Sequence, residues 1–395
     1  MRKIRKIAKN VERKFLNQKR NVAEYLQKNL LKGKLKFHLS YTKKLSTLKN
    51  SSQQMIKFNK LKNCFIVAEI SANHGQNFNR AVDLIKKAKE CGADAVKFQC
   101  YTPDTITIDC DNKHFRIKHP KWGGQTLYQL YKKAYTPWNW FKELKKIADD
   151  LGIIFFATAF DKTSVDFLEE LNVPMHKIAS FELVDLPLIE YMAGTKKPLI
   201  LSTGMATLPE IKEAVNTARI AGAKNIILLK CVSSYPAKPE EMNLKTISDM
   251  QKRFKLQIGL SDHTLGIATS ISAVCLGAKL IEKHFTLSRK IKTPDSFFSL
   301  EPQEFKSLAE NIRIAEESLG RVYYGVTKDE RNSRVFRRSL FVVKDIKKDE
   351  IFTEKNVKSI RPDFGLLPKY INTILGKKAK KNLKRGTPLQ KGDYL

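Results

Sequence analysis

An α/β fold closed into a parallel (β/α)8 TIM barrel is predicted for residues 61–325 of this 395-residue chain. Three observations predict it. Eight short apolar runs alternate with helix-sized segments, and several of those segments end in a glycine before the next run. No G-x-G-x-x-G follows the first run, which argues against a dinucleotide-binding sheet. Eight such units in about 260 residues suit a closed barrel better than an open doubly wound sheet.

The strand-like runs are 64–70, 95–100, 153–160, 176–180, 198–203, 225–231, 257–262 and 280–285. Each is short, apolar and rich in β-branched or aromatic residues, as a strand buried on both faces requires. Amphipathic stretches such as 81–91, 138–151, 209–221 and 269–278 lie between them. Cys91-Gly92-Ala93 and Ala221-Gly222-Ala223 read as helix ends that turn into the next strand. Beyond a linker at 326–336 the pattern changes to a small β-rich domain at 337–395, with strands expected at 338–343, 351–357 and 385–389. A domain of that size has little core of its own and is expected to pack against a partner.

Composition narrows the function classes. The apolar fraction of 42% supports a globular core, and no run is long enough to cross a bilayer. The N-terminus is charged but lacks the apolar stretch of a secretory signal. Six cysteines without C-x-x-C spacing are expected to be free thiols, and the protein cytoplasmic. The net charge of +33 is concentrated at the front, where residues 1–62 hold 19 Lys/Arg against two Glu. Elsewhere lysine is dispersed, and no interleaved aromatic platform for nucleic acid is present. Within the basic extension, residues 1–60, Ile4, Ile7, Val11, Phe15, Val22, Leu26 and Leu30 approximate a helical stripe. Such a stripe suits weak contact with an anionic membrane surface or a partner. A solvated extension without a separate role is the plainer expectation.

In a parallel barrel the chemistry gathers at the carboxyl ends of the strands. Those ends and the loops beyond them carry Glu69, Lys97, Thr158, Lys177, Ser180, Glu182, Ser202, Lys230, Tyr235, Ser261, His263, His284 and Asp295. His263 and His284 end neighbouring strands and are candidate ligands for a divalent metal with open positions. The lysines and hydroxyls make a candidate cradle for a phosphorylated or anionic substrate. Lys97 and Glu69 fall inside apolar strands, where an unpaired charge is expensive to bury, so a functional role is favoured. His74 remains open between a structural and a site role.

Five motifs in this order carry a family resemblance: Ala68-Glu69-Ile70-Ser71-Ala72-Asn73-His74, Ala95-Val96-Lys97-Phe98-Gln99, Leu201-Ser202-Thr203-Gly204-Met205, Gly259-Leu260-Ser261-Asp262-His263-Thr264 and Glu282-Lys283-His284-Phe285. From Cys64 to Leu395 the chain resembles the sialic acid synthase family, whose members join a (β/α)8 barrel to a C-terminal antifreeze-like (SAF) domain. Within the family it looks most like the pseudaminic acid synthases, through Thr126–Tyr131, Tyr135–Trp138, Ile178–Leu183, Leu229–Cys231, Tyr235–Ala237 and Ile360–Pro362, with Lys230 where N-acetylneuraminate synthases tend to carry His.

The resemblance implies condensation of phosphoenolpyruvate with 2,4-diacetamido-2,4,6-trideoxy-altropyranose to give pseudaminic acid and phosphate. It implies phosphoenolpyruvate binding by Lys97, Thr158, Lys177, Ser180, Ser202 and Ser261, and sugar binding by Tyr235, Asp295 and Arg361. Glu69 and Glu182 are the expected catalytic carboxylates. The expected cofactor is a divalent metal on His263 and His284, manganese first, with cobalt or magnesium as alternatives. It also implies a domain-swapped homodimer in which Arg361 reaches the other protomer's barrel. The alternatives are an N-acetylneuraminate or legionaminate synthase using another amino sugar and, remotely, a basic nucleic-acid or membrane-surface binding protein on a barrel scaffold. Two loops depart from the family pattern: Gly75 directly follows His74, and Lys292-Thr293-Pro294 stands where glycine is usual. A threonine there requires negative φ.

Overall fold

The computed structural model describes residues 56–395, which fall into two units parting between Leu319 and Gly320. The helical stripe expected within residues 1–60 lies outside the described residues, as do the contacts assigned to it.

In the first unit eight strands form a closed parallel barrel in sequence order. They are β1 (Phe65–Glu69), β2 (Ala95–Cys100), β3 (Ile154–Ala159), β4 (His176–Ile178), β5 (Leu199–Ser202), β6 (Ile226–Cys231), β7 (Gln257–Asp262) and β8 (Leu280–His284). The ring closes where β8 pairs with β1 over five residues, Phe65 opposite Leu280 through Glu69 opposite His284. Gly259 sits where a Cβ would strike the Leu280 carbonyl and the Leu229 side chain, so glycine lets β7 and β8 come together.

Helices surround the ring: α1 (Phe78–Glu90), α2 (Pro103–Ile106), α3 (Leu127–Ala134), α4 (Phe141–Leu151), α5 (Lys162–Glu170), α6 (Leu186–Gly194), α7 (Leu208–Ile220), α8 (Thr246–Phe254), α9 (Ala268–Cys275) and α10 (Pro302–Leu319). Local chemistry explains their limits. Asn77 caps α1 by accepting from the Arg80 amide, and Ala81, Leu84, Ile85 and Ala88 bury one face at helical spacing. A Thr207/Glu210 capping box starts α7, and Gly222, at φ +99°, ends its turn. The stretch expected as one helix over 138–151 divides into a 3₁₀ turn at Trp138–Trp140 and α4. Pro137 precedes that turn, and the Trp138 indole donates to the Tyr101 carbonyl while its ring stacks on Phe167. Among the described residues no helix is long and apolar enough to cross a membrane.

The second unit has its own core, including Leu340, Val342, Ile346, Phe352 and Leu389. Its antiparallel pair is β9 (Ser339–Val342) with β10 (Val357–Ile360), and a short α11 (Ile371–Ile374) follows. The strand expected at 351–357 is therefore misplaced. Thr353 and Asn356 form a turn in which the Thr353 amide donates to Asn356 Oδ1 and the Val357 amide to the Thr353 carbonyl, so pairing begins only at Val357. The run 385–389 makes a single bridge, Phe341 opposite Pro388, flanked by the Val342 amide donating to the Thr387 carbonyl and the Leu389 amide to the Leu340 carbonyl. Asp329–Phe336, within the stretch read as a linker, is a 3₁₀ helix.

Candidate active site

Strand residues alternate between the barrel interior and the helix layer. Register puts Glu69, Lys97, Thr158, Lys177, Ser202, Ser261, Glu282 and His284 on the inward rows. They converge on a floor of buried charge. Lys97 Nζ lies 2.8 Å from Glu69 Oε2 and 3.5 Å from Glu282 Oε1, and donates to Thr158 Oγ1 at 2.9 Å. Lys177 Nζ donates to Ser202 Oγ at 2.6 Å and stands 3.8 Å from Glu282 Oε1, which also accepts from Ser261 Oγ at 3.2 Å.

Burying four charges is tolerable only because each is paired and hydrogen-bonded. Burial raises the Glu69 carboxyl above its usual range, although Lys97 opposes it. Burial would raise Glu282 too, but Lys177 and then Lys97 outweigh it and hold it low. The result is one carboxylate kept ionised beside another that takes a proton more readily. Lys177 is itself lowered by burial, a cost that Glu282 only partly offsets. Glu282 was missing from the residues singled out by sequence. The signal was present, because a glutamate inside the apolar run of β8, two residues before His284, must face inward with it.

Above this floor stand the two imidazoles, ring centres 5.4 Å apart. His263 Nδ1 donates to the Val232 carbonyl at 2.9 Å, which fixes the tautomer and leaves Nε2 with its lone pair. His284 Nδ1 is buried with no hydrogen-bond partner among the described residues. Burial, then the positive charges nearby, pushes His284 well below the ordinary histidine range. Two neutral-capable imidazoles, one oriented by a carbonyl and one with an orphaned nitrogen, suit a borderline divalent cation. Behind them Cys231 Sγ lies 3.9 Å from His263 Nδ1.

The remaining candidates line the loops. Ser180 Oγ accepts from the Gly204 amide at 3.0 Å, and a Cβ at Gly204 would collide with the hydroxyls of Ser180 and Ser233. Glu182 follows in the same loop; its Oε2 is buried and unpartnered among the described residues, and burial lifts its carboxyl to about 7. Tyr235 leans on His263 with ring centres 4.3 Å apart. Asp295 accepts from Ser71 Oγ at 2.5 Å. Arg361 is exposed in the second unit, just past β10. Lys230 does not join the floor: it lies on the outward row of β6 and donates to the Cys231 carbonyl at 3.2 Å.

His74, in the loop after β1, is fully buried with both ring nitrogens engaged. It accepts from the Gln76 amide at Nδ1 and meets Thr136 Oγ1 at Nε2, and burial lowers it to about 4. Thr293 has no positive φ and donates to Asn73 Oδ1 at 2.7 Å, so the threonine fits the loop and ties it to the turn after β1.

A charged barrel floor below paired imidazoles, with a compact antiparallel unit encoded after it, defines a class of two-part barrel proteins. The chain belongs to the NeuB family, whose model matches residues 84–324, and a SAF domain model matches residues 337–395. It is 43% identical over 341 residues to the pseudaminic acid synthase of Campylobacter jejuni, covering 86% of this chain and 99% of that protein. To the pseudaminic acid synthase of Helicobacter pylori it is 46% identical over 329 residues, covering 83% and 97% respectively. Among solved structures it resembles the N-acetylneuraminic acid synthetase of Leptospira borgpetersenii, with TM-score 0.62, 33% identity, and coverage of 69% of this chain and 90% of that one.

Proposed function

We propose that the chain condenses phosphoenolpyruvate with 2,4-diacetamido-2,4,6-trideoxy-altropyranose, giving pseudaminic acid and phosphate. The observation that carries the reaction type is the buried Lys97–Glu282–Lys177 bridge beneath His263 and His284. It offers two cations to a small phosphorylated acid at the centre of a barrel mouth. The choice of sugar rests on 43–46% identity to pseudaminic acid synthases over nearly their full length.

Lys97 and Lys177, with Thr158, Ser180, Ser202 and Ser261, hold the phosphate and carboxylate of phosphoenolpyruvate. His263 and His284 hold the divalent cation, manganese first and cobalt or magnesium otherwise. When bound, the cation supplies Lewis acidity to the aldehyde oxygen of the open-chain sugar. Tyr235 and Asp295 orient that sugar. C3 of phosphoenolpyruvate forms the new bond to the aldehyde carbon, and water adds at the cationic C2. Phosphate then leaves with its bridging oxygen, which takes up the proton of the C2 hydroxyl as C2 becomes a ketone. The proton released by water balances the one taken up by the aldehyde oxygen. Glu182 takes it from the water and passes it on to the aldehyde oxygen, and Glu69, paired with Lys97 at 2.8 Å, orients the water or the sugar hydroxyls.

With the Glu182 carboxyl near 7, activity is expected to rise with pH through about 7 as the base form accumulates. Glu182→Gln is expected to lose about 10²- to 10⁴-fold in kcat and to flatten that rise. A kcat–pH profile of both enzymes checks it, and an unchanged profile in the variant would remove Glu182 from this role.

The working unit is a domain-swapped homodimer in which Arg361 of one protomer serves the barrel of the other. Exposed apolar residues support this: Phe181, Val184, Met205 and Leu265 on barrel loops, and Phe364 and Leu367 beyond Arg361 in the second unit. Six free cysteines accord with a reducing cytoplasm. A disused scaffold that binds nucleic acid or membrane is not favoured, because four buried floor charges would carry their desolvation cost with no substrate to serve.

The direct test measures phosphate release with the diacetamido-trideoxy-altrose, N-acetylmannosamine and the legionaminic acid precursor, each with manganese and with chelator. Manganese-dependent release with the altrose sugar alone is expected. Preference for either other sugar would overturn the substrate choice and leave the family.

A further inference from the structure

We propose that Trp122 determines sugar specificity, its ring forming the far wall of the sugar site against the apolar end of the substrate. The inference rests on the substrate reading above. Trp122 belongs to the long excursion between β2 and α3, far in sequence from every residue assigned so far.

Three contacts bring it to the barrel mouth. Its indole Nε1 donates to the Pro294 carbonyl at 2.8 Å, the residue next to Asp295. Its ring lies 5.6 Å from the Tyr235 ring, and Tyr235 in turn lies 4.3 Å from His263. Phe297 meets it edge-on at 6.2 Å. Behind it His119 stacks at 4.4 Å, nearly parallel. The turn that presents the ring is fixed: the Gly123 amide donates to the His119 carbonyl at 2.7 Å, and a Cβ on Gly123 would approach that oxygen to 2.6 Å. The excursion is pinned at its base, where Ile117 and Leu127 amides donate to the Gln125 and Phe115 carbonyls. Trp122 is therefore a preset wall.

The geometry sets a direction. The reacting aldehyde belongs at the imidazoles, so a sugar lying past Tyr235 extends toward Trp122. The proposed substrate carries methyl groups there that N-acetylmannosamine lacks, a 6-deoxy carbon and a second acetamido methyl. An aromatic face gains from such groups and gains less from a hydroxymethyl. Apolar contacts of this kind discriminate by about 10- to 200-fold.

The test compares wild type, Trp122→Ala and Trp122→Phe in the manganese-loaded enzyme, with the diacetamido-trideoxy-altrose and with N-acetylmannosamine. For Trp122→Ala, KM for the altrose sugar is expected to rise about tenfold or more, with kcat changed less. The preference over N-acetylmannosamine should shrink by a similar factor, and KM for phosphoenolpyruvate should stay put. Trp122→Phe keeps the face but loses the tether to Pro294, and should recover most of the preference. As a second readout, titrating the altrose sugar into wild type should change indole emission, and the change should vanish in Trp122→Phe, which retains Trp138 and Trp140. Unchanged sugar KM and preference in Trp122→Ala would overturn the proposal, as would equal losses for both sugars and phosphoenolpyruvate. Wild type that never turns over the altrose sugar would instead overturn the substrate reading beneath it.

Discussion

Lys97→Met is expected to remove catalysis and to lower barrel stability in the same stroke. Its ammonium is 2.8 Å from Glu69 and 3.5 Å from Glu282, both buried, and it donates to Thr158. Methionine fills much of the volume but leaves Glu69 without its cation. Breaking a buried pair by removing one partner costs about 3–5 kcal/mol. The loss has a pH signature. In the variant the Glu69 carboxyl, already raised by burial, rises further once the opposing Lys97 charge is gone. A carboxyl raised in the folded state contributes stability below its unfolded pKa and loses it as pH rises, so the melting deficit should be greatest at neutral pH and shrink in mild acid. Turnover should fall by at least about 10²- to 10³-fold, the loss expected for one preorganised charge donor. Calorimetric melting at several pH values and steady-state phosphate release measure the two effects. A variant with wild-type KM for phosphoenolpyruvate would dismiss Lys97 as a substrate contact.

His284→Ala should be the other large loss, about 10³-fold or more in phosphate release, together with weakened manganese binding in a titration calorimeter. Structural damage is the competing explanation, and complementation separates the two. Arg361→Ala should be inactive for a different reason, an intact barrel served by a deficient arginine. Co-expressed in equal amounts, the two dead chains should assemble mixed dimers in which one barrel is intact and receives the intact arginine. Random pairing restores about a quarter of wild-type sites. No recovery, with mixed dimers present, would sink the swapped arrangement. Wild-type manganese affinity in His284→Ala would sink the ligand assignment.

The eight strands were legible because a strand buried on both faces is a short apolar run, and here each is bounded by a polar turn or glycine. Only their ends move, as at 153–160, where the ladder occupies Ile154–Ala159. The inward charges were legible for the complementary reason, since a lysine or glutamate inside such a run is costly unless used. Glu282 obeys that rule as fully as Glu69 and was left without a role. Lys230 exposes the limit of reading strand ends as a set, because neighbours in sequence face opposite ways and only register decides which faces inward. In the second unit, single bridges between short segments leave no periodic pattern, so 351–357 looked more strand-like than Val357–Ile360. Trp122 meets Pro294 across 172 residues, and no local pattern encodes a contact between two loops.

The closing of the ring has a consequence for how the protein is made. Asn73, just past β1, binds the Phe285 carbonyl 212 residues away, and the Cys64 amide before β1 meets Glu316 across 252. The first barrel strand to leave the ribosome therefore waits for nearly the last barrel strand before its second edge is covered. At roughly 5–20 residues per second that interval is on the order of 10–50 s, during which an apolar strand edge is open to other chains. A nascent chain of this kind is expected to be a client for holding factors, and fast overexpression at high temperature should send it into inclusion bodies.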